Sequence, residues 1–241
     1  MMSELTRILQ QAGEQAGFSF SEKQIVLFEQ YFDLLVKGNE KINLTSLTDP
    51  QEVAIKHFID SLTCLTALTL PVGSQVLDVG TGAGFPGIPL KIYRNDLKIT
   101  LMDSLQKRVN FLNETLQDLG LQDSRAIHDR AEDFAQRKEQ RESYDLVVSR
   151  AVARLAVLAE YCLPCVKIGG YFISQKGPTI EDEVRESTKA LVILGGEIEE
   201  VKKLSLPVIQ DGRSIVVIKK ISPTPKQYPR KAGMPAKKPL L

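Results

Sequence analysis

The chain has 241 residues, 43% of them hydrophobic and 25% charged, the composition of a globular protein long enough to bury a core without staples. No apolar run approaches the roughly 18 residues needed to cross a membrane, and the start, Met1-Met2-Ser3-Glu4-Leu5, has no basic stretch followed by an apolar one, so neither a span nor a secretory leader is expected. The formal net charge of +1 hides an asymmetry: residues 219–241 carry seven Lys/Arg and no acid, leaving 24 basic against 30 acidic residues elsewhere. A basic tail on an acidic body predicts contact with a polyanion.

Residues 3–17 and 21–38 are predicted helices, the second capped by Ser21 and carrying Ile25, Phe28, Phe32 and Leu35 at helical spacing. A third helical stretch covers 51–68, and Leu70-Pro71-Val72-Gly73 breaks it. Strand-like runs at 75–79, 98–102, 125–128, 144–149 and 171–175 then alternate with helices. The clearest of these helices is 105–119, where Leu105, Val109, Leu112, Leu116 and Leu119 share one face. Such alternation implies right-handed crossovers and a parallel sheet. After a helix at 180–194, strands at 196–206 and 213–221 follow one another across Pro207–Gly212, which predicts an antiparallel pair. The expected fold is α/β: a mostly parallel, Rossmann-like seven-stranded sheet closed by a C-terminal antiparallel hairpin, the layout of class I methyltransferases. Three parts are expected: a helical N-terminal extension, 1–70; a cofactor-binding domain, 71–222; and a basic tail, 223–241, kept extended by Pro223, Pro225, Pro229, Pro235 and Pro239.

Cys64, Cys162 and Cys165 are too few for a disulfide framework. Cys162-Leu-Pro-Cys165 would need two further ligands to hold zinc, and neither His57 nor His128 lies at zinc-finger spacing. Buried, inert thiols, no metal and a cytoplasmic protein are expected.

The first strand runs into Gly80-Thr-Gly82-Ala-Gly84-Phe85-Pro-Gly87, a loop whose glycines allow sharp turns and close ligand approach ahead of a helix start suited to a negative group. Gly82-x-Gly84-x-x-Gly87 also fits the dinucleotide fingerprint, which by itself is weak. Asp78, inside the strand end, would repel a pyrophosphate and suit a cofactor carrying an ammonium and a sulfonium. Asp103, ending the second strand 23 residues after Gly80, suits a ribose diol or, alternatively, a helix N-cap. Glu132, after the third strand, suits an adenine ring or simply a helix start; His128 reads as an ordinary strand residue. The fourth strand ends in Ser149-Arg150-Ala151-Val152-Ala153, without the Asn/Asp-Pro-Pro-aromatic motif of amino-directed methyltransferases and without a cysteine to attack a pyrimidine. Guanine N7 fits that gap, because its free lone pair needs positioning and no base. Arg150 is expected to grip a cofactor carboxylate or an RNA phosphate.

The stretch Asp78-Val-Gly-Thr-Gly-Ala-Gly-Phe-Pro-Gly-Ile-Pro-Leu90, with Ser149–Ala153, Gln175-Lys-Gly177 and Thr224-Pro-Lys-Gln-Tyr-Pro-Arg-Lys-Ala-Gly233, resembles the ribosomal RNA small-subunit methyltransferase G family, also called glucose-inhibited division protein B. Ile42-Asn-Leu-Thr45 and His57-Phe-Ile-Asp-Ser-Leu62 resemble its N-terminal motifs, so the likeness covers nearly the whole chain. It implies S-adenosylmethionine as cofactor, 16S ribosomal RNA or the small-subunit particle as partner, and methylation of N7 of guanine 527 in the decoding region. It implies cofactor contacts at Gly80, Phe85, Asp103, Ser104, Leu105, Ala131, Glu132 and Arg150, beside the Asp78, Gly82 and Gly84 already singled out. RNA-facing candidates, on charge and position, are His57, Lys176, Tyr228, Arg230 and Lys231; Arg150 and Lys176 are candidates for positioning the reactants. A monomer is expected. Two other readings stay open: a nicotinamide-dependent oxidoreductase using the same glycine loop, and a non-catalytic RNA-binding module.

Overall fold

A computed structural model describes residues 2–150 and 152–241; Met1 and Ala151, the latter inside the Ser149–Ala153 motif, lie outside the described residues. Helix α1 (Glu4–Gln15) starts at Ser3, whose hydroxyl accepts from the Thr6 amide, and α2 (Glu22–Asn39) starts at a full capping box between Ser21 and Gln24. The third helical stretch is composite. A turn α3 (Pro50–Glu52) is capped by Asp49, Val53–Ile59 is π-helical, and α4 (Asp60–Leu62) runs into a 3-10 turn at Thr63–Thr66. No described helix is long and apolar enough to cross a membrane.

The remainder alternates as the sequence predicts: β1 (Gln75–Val79), α5 (Gly87–Tyr93), β2 (Lys98–Asp103), α6 (Gln106–Asp118), β3 (Ser124–His128), α7 (Ala131–Phe134), β4 (Tyr144–Arg150), α8 (Leu155–Cys162), β5 (Val166–Lys176), α9 (Glu181–Leu194), β6 (Gly196–Ser205), β7 (Gly212–Lys220) and α10 (Met234–Lys237). Sheet order is β3-β2-β1-β4-β5-β7-β6, with β1 to β5 parallel and the β6–β7 hairpin antiparallel on the β5 edge. Chain order reverses between β1 and β4, and at that switch point the carboxyl ends of the strands open a crevice.

Alternate strand residues divide the interior into two layers. Val76, Leu101, Val148 and Ile173 join the side covered by α1, α2, the π-helical turn, α5 and α6, whereas Leu77, Met102, Val147 and Phe172 face α8 and α9. The N-terminal extension is thus continuous with the sheet core: Leu9, Phe28 and Phe58 are wholly buried in the first layer. Leu105 departs from its predicted place on the buried face of α6; it is the residue before the helix and 52% exposed, while Val109, Leu112 and Leu116 are buried.

The tail also departs from expectation. Lys220 is wholly buried, its Nζ donating to the Leu163 carbonyl at 2.7 Å and to Thr224 Oγ1. Arg141 donates to the carbonyls of Thr224 at 2.7 Å and Tyr228 at 2.8 Å, and Gln136 Nε2 to that of Pro229 at 2.7 Å. The prolines limit regular structure to the single turn of α10 without preventing docking. Beside a few local turn bonds, the tail backbone is satisfied by a guanidinium fork and an amide from the domain.

Candidate cofactor cleft

The strands β1, β2 and β3 end beside one another; β1 and β2 each carry an acid near that end, and α7, which follows β3, brings a third. Asp78 is fully buried; its Oδ2 accepts from Thr81 Oγ1 at 2.6 Å and from the Gly87 amide at 2.8 Å, while Oδ1 has no partner. Burial, only partly offset by those two hydrogen bonds, pushes its carboxyl up to about 6. Asp103 is 4% exposed and bridges two segments: Oδ2 accepts from the Gly82 amide at 3.0 Å and Oδ1 from the Leu105 amide at 2.9 Å, with Arg108 3.5 Å away. It therefore ties the glycine loop to the start of α6, whether or not it also meets a ligand. Glu132, 7% exposed in α7, accepts from the Gly233 amide at 2.8 Å.

Glycine is needed at two loop positions for different reasons. At Gly84 (φ +112°) a Cβ would sit 2.5 Å from Ile88 and 2.7 Å from Tyr31 Oη, so the loop is pressed onto α2, where Tyr31 donates to the Ala83 carbonyl at 2.7 Å. Gly82 (φ +61°) has nothing within 4 Å of where a Cβ would lie, so its face is open to a ligand while its backbone is left-handed. The resulting cleft, about 270 Å³, is walled by Gly80, Asp103, Ser104, Ala131 and Glu132, and also by Gly233. Seen from the cleft, Asp103, Asp129 and Glu132 outweigh a single cation, Arg130. The first amides of α7, at Ala131 and Glu132, have no intrahelical acceptor. These features fit an adenosyl cofactor with a cationic amino-acid end: acids for an ammonium and a diol, open glycine backbone, and helix amides for a ring nitrogen. A pyrophosphate would meet a lining with more acids than cations, with Arg108 beside Asp103 and Arg137 paired to Asp129.

A second cluster lies where β4 meets the N-terminal helices. Arg150 Nη1 donates to the Lys56 carbonyl at 3.1 Å and pairs with Asp60 Oδ2 at 3.2 Å, and its Cζ stands 5.1 Å from the centre of the Phe85 ring. His57 stacks on the same ring at 4.3 Å and 21°. Its Nδ1 lies 3.3 Å from Arg150 Nη2 and its Nε2 2.8 Å from Thr45 Oγ1. Burial and the Arg150 charge hold His57 down at about 3, so it is neutral. Nδ1 lies between the Arg150 guanidinium, which can only donate, and the Lys56 carbonyl at 3.2 Å, which can only accept; Thr45 Oγ1 already accepts from the Leu47 amide at 3.0 Å, which leaves its hydroxyl able to donate to Nε2. Asp60 also pairs with Arg213, at 3.4 Å.

Several sequence-predicted ligands are thus occupied within the chain. Arg150 belongs to the Asp60–His57–Phe85 cluster and does not line the cleft. Lys176 donates to the Ala153 carbonyl and pairs with Glu183 at 2.8 Å, so it is not a free cation. Arg230 grips Glu160, and Tyr228 packs partly against the second apolar layer; of the tail candidates Lys231 is exposed. The three cysteines are buried thiols, and among the described residues no group of three or more His, Cys, Asp or Glu could hold a metal. Sequence reasoning did not single out Tyr31, Asp60, Glu160 or Arg213. Asp60 and Glu160 had a signal: each is a lone acid within an apolar helical run, which burial obliges to find a cation.

Comparison with known proteins agrees with this architecture. The family described as rRNA small subunit methyltransferase G matches residues 24–216. Ribosomal RNA small subunit methyltransferase G of Desulforamulus reducens is 61% identical over 239 residues, 99% of this chain and 100% of the relative. That of Alkaliphilus metalliredigens is 50% identical over 233 residues, covering 97% and 98%. Among solved structures, a SAM-dependent methyltransferase from Aquifex aeolicus superposes with a TM-score of 0.51 at 21% identity (76% of this chain, 97% of that one). TrmN from Thermus thermophilus gives 0.55 at 14% (79% and 52%). The structural matches establish the Rossmann-like methyltransferase fold, and on the sequence matches the chain belongs to the rRNA small subunit methyltransferase G family.

Proposed function

We propose that this protein transfers a methyl group from S-adenosylmethionine to N7 of a guanine in 16S ribosomal RNA, guanine 527 by the family resemblance. One observation carries the cofactor half of the reading: three carboxylates line or underlie the strand tips at Asp78, Asp103 and Glu132, and the buried Oδ1 of Asp78 lacks a partner. That arrangement supports a positively charged cofactor and disfavours a dinucleotide. S-adenosylmethionine, when bound, supplies an electrophilic methyl group on its sulfonium. Asp103 would take the ribose hydroxyls, the Gly80–Gly82 backbone the amino-acid end, and Ala131 with Glu132 the adenine.

The residues around Arg150 support an acceptor that needs no deprotonation. His57 is neutral, and both of its nitrogens are engaged within the chain, Nδ1 by the Lys56 carbonyl and Arg150 and Nε2 by Thr45. Lys176 is likewise engaged. What this cluster supplies is a rigid unit in which His57 stacks on Phe85 and Arg150 contacts both rings. Holding reactants in line accounts for catalysis at a nucleophile that already carries its lone pair. The test is tritium transfer from labelled S-adenosylmethionine to 16S RNA. Substitution of 7-deazaguanine at the target should abolish transfer, and the rate at saturating cofactor should lack an essential base titrating near neutrality. Methylation of the deaza RNA would place the acceptor elsewhere. Calorimetry with S-adenosylmethionine against NAD separates the nicotinamide reading.

A further inference from the structure

One wall of the cleft comes from beyond the last strand of the sheet. Gly233 borders the same space as Gly80 and Asp103, and its amide holds one oxygen of Glu132. Three residues earlier Arg230 makes the tightest attachment of the tail. Its Nη2 reaches Glu160 Oε2 at 2.6 Å, its Nε reaches Oε1 at 2.9 Å, and its own amide donates to Oε1 at 2.7 Å. Glu160 is only 1% exposed on its side chain, so the pair is bidentate and its acid is desolvated. Between this anchor and Gly233 lie only Lys231 and Ala232. Gly233, left-handed at φ +82°, then turns the chain into α10, whose Pro235 is buried.

We propose that residues 228–237 form a strap that completes the cofactor cleft, with Arg230 as a positioning residue that never touches the cofactor. Through Glu160 it places Gly233, and through the Gly233 amide it fixes the Glu132 carboxylate against the adenosyl group. The inference rests on the cofactor reading proposed above. It also reassigns Arg230: a guanidinium spent on a buried acid is not an RNA-phosphate ligand, and its loss should be felt first in cofactor binding.

A double-mutant cycle on the full chain tests this, with S-adenosylhomocysteine as the probe and calorimetry as the readout. Wild type should bind; absence of binding would overturn the cofactor reading, independently of the strap. Arg230→Ala should lower affinity about tenfold, and Glu132→Ala by a similar factor. The double variant should be no weaker than Glu132→Ala alone, because without that side chain the Gly233 amide has no carboxylate to hold. A scaffold role unrelated to Glu132 would instead multiply the two losses, and that result, or wild-type affinity in a folded Arg230→Ala protein, overturns the proposal. Should Arg230→Ala fail to fold by circular dichroism, Arg230→Lys replaces it in the cycle, since it keeps the charge opposite Glu160 and loses the fork.

Discussion

Asp78 offers a quantitative test, because its environment separates charge from shape. Burial lifts its carboxyl from an ordinary 3.8 to about 6, with Thr81 and Gly87 bonded to one oxygen and nothing to the other. At 1.36 kcal/mol per pH unit, that rise is worth about 3 kcal/mol. The sign follows from linkage: the folded chain holds this proton more tightly than the unfolded one. The contribution to stability is therefore whole below about pH 4 and is lost as the pH climbs through 6. Asp78→Asn keeps an oxygen for Thr81 and Gly87 but cannot titrate. The variant should gain on wild type by about 3 kcal/mol between pH 4 and 7, equivalent to some 6–12 °C in melting temperature for a chain of this size. Scanning calorimetry of both proteins across that range, without ligand, is the assay. A melting difference independent of pH would refute the claim that Asp78 is a desolvated acid. In the same window S-adenosylhomocysteine, whose ammonium favours the ionised form, should bind wild type more tightly as the pH rises and bind the Asn variant without that dependence.

Gly82→Val should reduce S-adenosylhomocysteine affinity at least tenfold while the protein stays folded, since the side chain enters open space on the glycine loop beside Asp103 and the left-handed backbone costs about 1–2 kcal/mol; wild-type binding would remove Gly82 from the site. Asp103→Asn should cost about 1–3 kcal/mol of cofactor binding, the usual worth of hydrogen bonds to a charged group. A fall in melting temperature with unchanged affinity would leave Asp103 only its tie between Gly82 and Leu105. The cysteines should resist thiol reagents in the folded state, because burial raises all three and carries Cys165 to about 12; rapid labelling before unfolding would contradict their burial.

The parts of the molecule legible in the sequence are those with local signals. Strand-helix alternation and the closing hairpin depend on spacing along the chain and reappear in the sheet order, while of the glycine loop and its acids Gly80 and Asp103 line the cleft and Asp78 is fully buried. The π-helical turn at Val53–Ile59 was legible only as helix, since its hydrogen bonds span five residues where those of an α-helix span four, and the segment is largely apolar. Arg150, Lys176 and Arg230 were legible as cations, but not as cations already spent: their partners Asp60, Glu183 and Glu160 come from other elements, and for Asp60 and Glu160 from 90 and 70 residues away. The tail misled for the same reason. Prolines and lysines describe what the backbone cannot do and leave open which distant groups capture it.

The Gly233–Glu132 bond closes a span of 101 residues. Contacts so distant along a chain are reached late during folding, because loop closure must be paid for before they reward it. Once formed, this one hangs on a few side-chain anchors rather than on a ladder of strand pairing. The Gly233 amide hydrogen is then a natural reporter: its exchange with solvent deuterium measures how often the cleft opens along that seam, without unfolding of the sheet. Ligand-dependent slowing at this one amide, with β1 and β4 unaffected, would measure the opening equilibrium of the binding site in isolation from the stability of the fold.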